Sequence, residues 1–502
     1  MAEVVLVFPK LIDVKSAKAW FGPPLGILTL AGVLMERGVS VKIIDQRTDR
    51  LWQETLINEL EKGHIFIGLS SMSGLQIKYA LEIASFVKKR WKTPIVWGGM
   101  HPTLEPVSTA RHELVDIAVT GEGEKTVIEL LEYFKGKVKL REVKGIAFRF
   151  NNQVVVNEPN SAVDLNSLPF TPFYLVDLKQ YKADRGHFGF TESVYIPIET
   201  SRGCSHRCKF CYVSMQALRW MAMDAQRVVE HITNVITEYK IHAICFYDNN
   251  FVVDPARVDG ILKLLTKQGI SIEWYTNMRA EYLLKFGLPI LRKLEYSGCK
   301  SITIGLESGS DDKLRQLDKR MTVKEIIEVN RLIKKSKIIV LFGVIIGFPY
   351  ETLETIKKTY RVIIKILLDN PRARVDIVRL IPMPRTSILL DCAKAGFSVP
   401  QTLEEWIKVT IPNLLNYREW LDNKVLHLMD DFDYFRFFIK LTRSKPNKIG
   451  RFFFKIYANF FILRFKYDYF SLWLEPKVFS AISIARERLK ILFLRKRLME
   501  PN

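Results

Sequence analysis

The chain has 502 residues, 48% hydrophobic and 26% charged, an ordinary globular composition that excludes a disordered or fibrous polypeptide and leaves room for two or three domains of ~150 residues. The formal charge of +21 would raise nucleic acid or an anionic membrane surface as partners, but residues 431–502 alone carry 16 Lys/Arg against 6 Asp/Glu, so about half of the excess is local. No apolar run approaches the ~20 residues that span a bilayer, and the opening MAEVVLVFPK has no basic leader or small-residue cleavage site, so a cytoplasmic location is expected.

In chain order, residues 4–8 form a short apolar β-branched run, 26–37 carry helical spacing that stops at Gly38, and 39–44 form a second strand. The unit then repeats: strand 65–69 enters the turn Ser70-Ser71-Met72-Ser73-Gly74, helix 77–90 follows, and strand 94–97 meets the loop Gly98-Gly99-Met100-His101-Pro102. A fifth strand, 115–119, runs into Gly121-Glu122-Gly123-Glu124. This βαβ order predicts a doubly wound parallel sheet over residues 1–135, with its Ser- and Gly-rich loops at the strand ends where such sheets bind ligands. No GxGxxG follows the first strand, which disfavours a dinucleotide.

Residues 136–190 read as a linker with a hairpin, strands 146–150 and 154–156 across Asn151-Asn152. A second α/β run then offers strands at 194–198, 243–247, 271–275, 301–306, 338–346 and 375–381, each followed by a helical stretch. Six β/α units over 191–400 predict a partial TIM-type barrel with its chemistry on the strand-end loops.

The first of those strands leads into SRGCSHRCKFC. Cys204, Cys208 and Cys211 stand in a C-x3-C-x2-C loop, with Gly203 easing the turn. Three thiolates on a four-iron cluster leave one iron open, as a catalytic centre requires, whereas a structural zinc wants a fourth Cys or His and finds only His206 close by. Unligated thiols are the remaining reading. Cys245, Cys299 and Cys392 sit alone in apolar contexts and read as small buried hydrophobes.

This loop resembles the signature of the radical S-adenosylmethionine superfamily. Four further segments are similar to that family's strand ends: residues 246–251 (FYDNNF), Trp274 to Arg279, Ile304-Gly305-Leu306-Glu307-Ser308-Gly309, and 346–352 (IGFPYET) near the adenine. The family's Pro-Tyr-Pro-Gly-Thr reads here Pro382-Met383-Pro384-Arg385-Thr386, and Ser205 replaces a common proline. The resemblance implies a 4Fe-4S cluster on Cys204, Cys208 and Cys211, and S-adenosyl-L-methionine contacts from Phe210, Tyr212, Asp248, Arg279, Glu307, Ser308 and Gly347. For Asp248, Arg279 and Glu307 structural ion pairs are the competing reading.

By the same resemblance, PPLGILTLAGVLMERG, WGGMHPT and TGEGE are similar to the cobalamin domain of the cobalamin-dependent branch. It implies cobalamin contacts from Ser70, Ser71, Ser73, Gly98, Gly99, His101, Gly121 and Glu122. The D-x-H-x-x-G pattern that supplies a cobalt-ligating histidine is absent, since Gln46 and Arg47 follow Asp45, so a histidine-free lower face of cobalt is expected. His101 is either a direct ligand or a loop residue; Glu122 and Glu124 are either cofactor contacts or first-turn helix residues favoured by the dipole.

Residues 401–502 read as a basic, aromatic-rich helical domain. Ile449, Phe453, Ile456, Phe460, Leu463, Tyr467, Phe470 and Leu474 recur at helical spacing, flanked by Lys448, Arg451, Lys455 and Lys466. That face could pack on the barrel or shape a pocket for a greasy substrate. It could also lie on a membrane surface, with nucleic acid the least favoured partner.

The expected function is methylation of an unactivated carbon in a hydrophobic or natural-product-like small molecule, with electrons from a flavodoxin or ferredoxin. Ring closure or oxidative rearrangement of a porphyrin-like or lipid substrate is the alternative within the family. A methylthiotransferase is disfavoured because no cysteine precedes Cys204. A non-enzymatic cobalamin or redox sensor is the reading outside enzymology, and the three-cysteine loop argues against it.

Overall fold

A computed structural model describes residues 3–11, 22–182, 188–215, 220–409 and 419–429. The amphipathic face at 449–474 lies outside the described residues.

The first domain is built on β1 (Val4–Phe8), α1 (Leu25–Glu36), β2 (Val41–Asp45), α2 (Trp52–Leu60), β3 (Phe66–Ser70), α3 (Leu75–Lys88), β4 (Ile95–Gly98), α4 (Met100–Leu104), α5 (Pro106–Arg111), β5 (Ile117–Val119) and α6 (Gly123–Phe134). The five strands pair in parallel in the order β2-β1-β3-β4-β5. Runs such as Val4 to Val7 are wholly apolar because helices cover both faces of the sheet, and all four are at most 2% exposed. The order reverses between β1 and β3, the switch point at which doubly wound sheets bind ligands.

The hairpin that the sequence sets in a connector is the edge of this sheet: β6 (Ile146–Phe150) pairs antiparallel with β5, and β7 (Gln153–Val156) follows. Asn151 and Asn152, at φ 48° and 65°, form the two-residue turn, a conformation asparagine tolerates well. Ile146, Ala147 and Phe148 are buried, and that apolar patch ties the strand to the sheet rather than to a free linker.

The second domain carries the six expected strands in sequential parallel order, β8 (Ile196–Ile198), β11 (Ala243–Phe246), β12 (Glu273–Asn277), β13 (Cys299–Glu307), β14 (Ile339–Ile346) and β15 (Ala373–Arg379). The short ribbon β9 (Ser201–Arg202) and β10 (Met221–Ala222) stands beside them. Helices α7 (Ala225–Tyr239), α8 (Pro255–Lys267), α9 (Ala280–Tyr296), α10 (Asp311–Gln316), α11 (Val323–Ile333) and α12 (Leu353–Asp369) occupy the crossovers. β8 and β15 are not paired with each other, so the barrel is open, as six β/α units predict. Phe188 and Phe190 plug its floor against Tyr195 and Cys245. Gly298 has no room for a side chain, since a Cβ there would stand 1.7 Å from the Ile272 carbonyl oxygen.

After the barrel, α13 (Ser387–Lys394) and α14 (Leu403–Lys408) carry the chain back to the first domain. Trp406 lies edge-on to His101, and Glu404 meets His112 at 3.0 Å. Residues 419–429 return to the barrel, where Trp420 Nε1 donates to the Gly347 carbonyl at 3.0 Å. No helix among the described residues is long and apolar enough to cross a membrane.

Candidate active site at the facing strand ends

The cysteine loop leaves β8 and is fixed from below. Asp248, fully buried at the end of β11, accepts hydrogen bonds from Thr200 N (2.7 Å), Thr200 Oγ1 (2.6 Å) and Ser201 Oγ (2.5 Å). Arg257 Nη2 donates to Thr200 O and Thr200 Oγ1 at 2.9 and 2.6 Å. Asp248 thus spends its carboxylate on the loop's stem, the structural reading of this residue. Three hydrogen bonds satisfy the buried carboxylate.

Gly203, at φ +81°, turns the chain into the cysteines. Ser214 Oγ donates to the carbonyls of Cys208 and Cys211, and Lys209 N donates to Leu317 O at 3.1 Å, so the loop is pinned to itself and to the far side of the barrel. Cys208 is 7% exposed, and Cys204 and Cys211 are half-buried. Burial pushes the Cys211 thiol up, and the charges of Cys208 and Cys204 push it further, so the three sulfurs lie within one another's field. Burial likewise raises Cys208, against the pull of Lys319 and Arg279. Iron must therefore displace protons on binding. Among the described residues no three His, Cys, Asp or Glu side chains close on one point as a single metal ion needs. His206, half-buried, is held neutral by desolvation and by Arg279.

The remaining residues expected at S-adenosylmethionine surround this loop. Arg279 Nη1 stands 3.8 Å from Cys208 Sγ, and the same guanidinium bonds Glu281 and the Lys319 carbonyl. Glu307, re-aimed by a bulge in β13 and held at φ +61°, pairs with Lys319 Nζ at 2.7 Å. Gly305 permits that pair, because a Cβ there would meet Glu307 Oε1 at 2.0 Å. Phe210 packs edge-on to Phe348, and Ser308 Oγ faces Thr359 Oγ1 at 3.3 Å. Tyr212 stands apart from this group, in the wall of the cavity described below.

Gly347, at φ +90°, donates its N–H to Glu351 Oε2 at 2.6 Å, and Phe348 N donates to the same oxygen at 3.1 Å. Glu351 Oε1 is buried without a partner, which suits a protonated acid. Burial pushes this carboxyl up to about 7, against the opposing pull of the two amides and Lys313. The folded chain then holds a proton that the unfolded chain has released above the ordinary glutamate range. Stability from this group is complete below that range and is lost as pH rises through about 7. The expected loss is on the order of 3 kcal/mol. Melting curves between pH 4.5 and 7.5 should fall more steeply for the parent than for Glu351→Gln and level off above about 7; parallel curves would show that Glu351 carries no proton.

A cavity of about 340 Å³ lies between the two domains. Ser70, Gly98, Gly99, Gly121 and Glu122 line it from the first sheet, and Glu199, Arg202, Gly203, Tyr212 and Asn249 close it from the barrel. Its depth is apolar, running past Leu6, Phe66, Gly68, Val96 and Leu130 into the space between sheet, α1 and α6. A deep slot with glycines at its mouth, where backbone can approach closely, suits the tail of a cobalamin.

Ser71, Ser73 and His101 lie behind that lining rather than in it. His101 is fully buried behind the loop, with Nδ1 2.9 Å from Ser73 Oγ and its ring against Trp406. Desolvation pushes its pKa down to about 3, so it is a neutral, packed histidine. Asp45, where the absent histidine pattern would begin, is paired with Arg47 at 2.6 Å and with Tyr181 Oη at 2.7 Å.

One guanidinium joins the two loops. Arg202 Nη1 meets Glu122, Nη2 meets Glu124 and Nε meets Glu199, each at 2.7 Å. Glu124 is therefore an interdomain ion partner. Removing the arginine would strand buried carboxylates, a loss of ~3–5 kcal/mol. Sequence reasoning missed Arg202, although it stands two residues before Cys204, and it missed Lys319, whose partner Glu307 only the bulge brings within reach.

Comparison with known proteins agrees with this layout. Residues 19–131 match the B12 binding domain and residues 198–363 the Radical SAM superfamily. An uncharacterised methyltransferase of Pyrococcus horikoshii is 28% identical over 373 residues, covering 73% of this chain and 79% of that protein. The anaerobic magnesium-protoporphyrin IX monomethyl ester cyclase of Synechocystis is 25% identical over 324 residues, covering 64% of this chain and 63% of the cyclase. Among solved structures, the cobalamin-dependent S-adenosylmethionine radical enzyme OxsB, with aqua-cobalamin and S-adenosylmethionine bound, superposes with a TM-score of 0.63 at 22% identity. That match covers 77% of this chain, which spans 54% of OxsB.

Proposed function

Starting from a chain that belongs with the cobalamin-binding radical S-adenosylmethionine enzymes, we propose that it transfers a methyl group to an unactivated carbon of a small, largely apolar molecule. The observation that carries this reading is the facing of the cysteine loop and the deep cavity across one wall, with Gly203 and Tyr212 belonging to both. When bound, a 4Fe-4S cluster supplies the electron that cleaves S-adenosylmethionine to a 5′-deoxyadenosyl radical, and cobalamin supplies the methyl group.

The chain's own residues orient and exclude. Cys204, Cys208 and Cys211 hold the cluster, and Arg279 balances the charge on the Cys208 sulfur. Ser70, Gly98, Gly99, Gly121 and Glu122 border the cobalamin, and the Gly347 segment, roofed by Trp420, takes the adenine. In the barrel lumen Tyr195 Oη and Tyr247 Oη meet at 3.1 Å, Tyr275 Oη meets Thr303 Oγ1 at 2.9 Å, and Gly343 leaves open space. Burial holds all three phenols above their usual range, so they remain neutral donors to an apolar substrate that bears a few polar atoms. A flavodoxin- or ferredoxin-type protein delivers the electrons.

Turnover with a reduced donor should yield 5′-deoxyadenosine and S-adenosylhomocysteine together. Only the former, with an altered substrate, would favour ring closure, the reaction named for the cyclase relative.

A further inference from the structure

Arg202 belongs to the barrel and stands two residues before the first cysteine, whereas Glu122 and Glu124 belong to the first domain at the end of β5 and the start of α6. The guanidinium is 13% exposed, with Glu122 at 9% and Glu124 at 8%. Glu122 is held from behind as well, its second carboxylate oxygen accepting Val163 N at 2.8 Å. All four charged side chains of the cluster line the cavity.

Adhesion alone accounts poorly for this arrangement. Buried ion clusters are weak stabilisers compared with apolar contacts of the same size, and three carboxylates around one cation leave negative charge uncompensated. Such a cluster does, however, fix geometry. The planar fork of arginine can satisfy three separate oxygens in set directions, and a lysine ammonium cannot reproduce that. Gly121 at φ +74° and Gly203 at φ +81° flank the clamp on its two sides, so each loop turns sharply where the clamp holds it.

We propose that Arg202 is a positioning residue that couples the two sites energetically: ordering of the Gly121–Gly123 turn by cobalamin orders the cysteine loop through the guanidinium, and the reverse. The proposal rests on the cofactor reading above. Linkage requires the effect to be reciprocal, so S-adenosylmethionine at the cysteine loop must tighten cobalamin by the same factor.

The test titrates hydroxocobalamin into the full chain, with the iron–sulfur cluster reconstituted and kept oxidised so that no cleavage occurs. Absorbance is read with and without saturating S-adenosylmethionine. In the parent the dissociation constant should fall at least about fivefold when S-adenosylmethionine is present. In Arg202→Lys the two constants should agree within about twofold, with iron content unchanged. Glu124→Gln, which removes one arm and keeps the arginine, should give an intermediate ratio and carries the test if the lysine variant does not fold by circular dichroism. A parental ratio of one, or a variant that keeps the parental ratio, overturns the clamp while leaving the cofactor assignment intact. Failure of the parent to bind cobalamin at all removes both.

Discussion

Cys208→Ala prepared without oxygen should retain less than about a tenth of the parental iron and lose cleavage of S-adenosylmethionine by a factor of at least about 10³. Cys208 is the most buried of the three cysteines, and Arg279 reaches its sulfur while staying paired with Glu281, so its loss removes a ligand without stranding the guanidinium. The fold should survive. The loop's stem is held by Asp248 and Arg257, and its carbonyls by Ser214, none of which depends on the sulfur. Circular dichroism and a melting curve close to the parent's would separate loss of the cluster from loss of the domain. Near-normal iron in this variant would mean that the metal is held elsewhere.

Gly98→Leu should do the complementary thing. A Cβ at Gly98 points toward Val119, 3.9 Å away, and Val119 is itself in the cavity wall, so the new side chain enters the space assigned to cobalamin. The position is outside the left-handed region that favours glycine, so the backbone accepts the change. Cobalamin affinity should fall at least about tenfold, equivalent to ~1.4 kcal/mol, with iron loading retained. Reductive cleavage to 5′-deoxyadenosine should continue in the variant while S-adenosylhomocysteine disappears. Equal loss of both products would mean that the leucine has disturbed the barrel.

Both domains were legible in the sequence for one physical reason. Parallel strands covered on both faces are continuous β-branched runs, and the turns after them are rich in Gly and Ser; the runs at 4–8, 243–247 and 338–346 each became a strand with ends shifted by two residues or fewer. The hairpin at 146–156 was legible as a hairpin but not as a sheet edge, since pairing with β5 depends on a return of the chain that no local pattern records.

Side-chain direction was the harder matter. Asp248 looked like a ligand contact because it ends a barrel strand, yet it turns inward to Thr200 and Ser201. His101 lies in the right loop but faces Trp406, about 300 residues away, which no spacing rule could foresee. Arg202, Lys319 and Glu351 escaped notice because each acts through a partner fixed only by the folded chain. Arg385 shows the converse: it stands where the family pattern has glycine, and it adopts φ +61° as a glycine would.

The central claim is that three sulfurs hold a cluster at the barrel mouth, across one wall from a bound cobalamin. Anaerobic reconstitution of the full chain, followed by metal analysis and electron paramagnetic resonance of the reduced sample, tests it most directly. The account predicts ~4 iron per chain with a [4Fe-4S]⁺ signal that changes on adding S-adenosylmethionine. Zinc in place of iron, or a signal indifferent to S-adenosylmethionine, would contradict it.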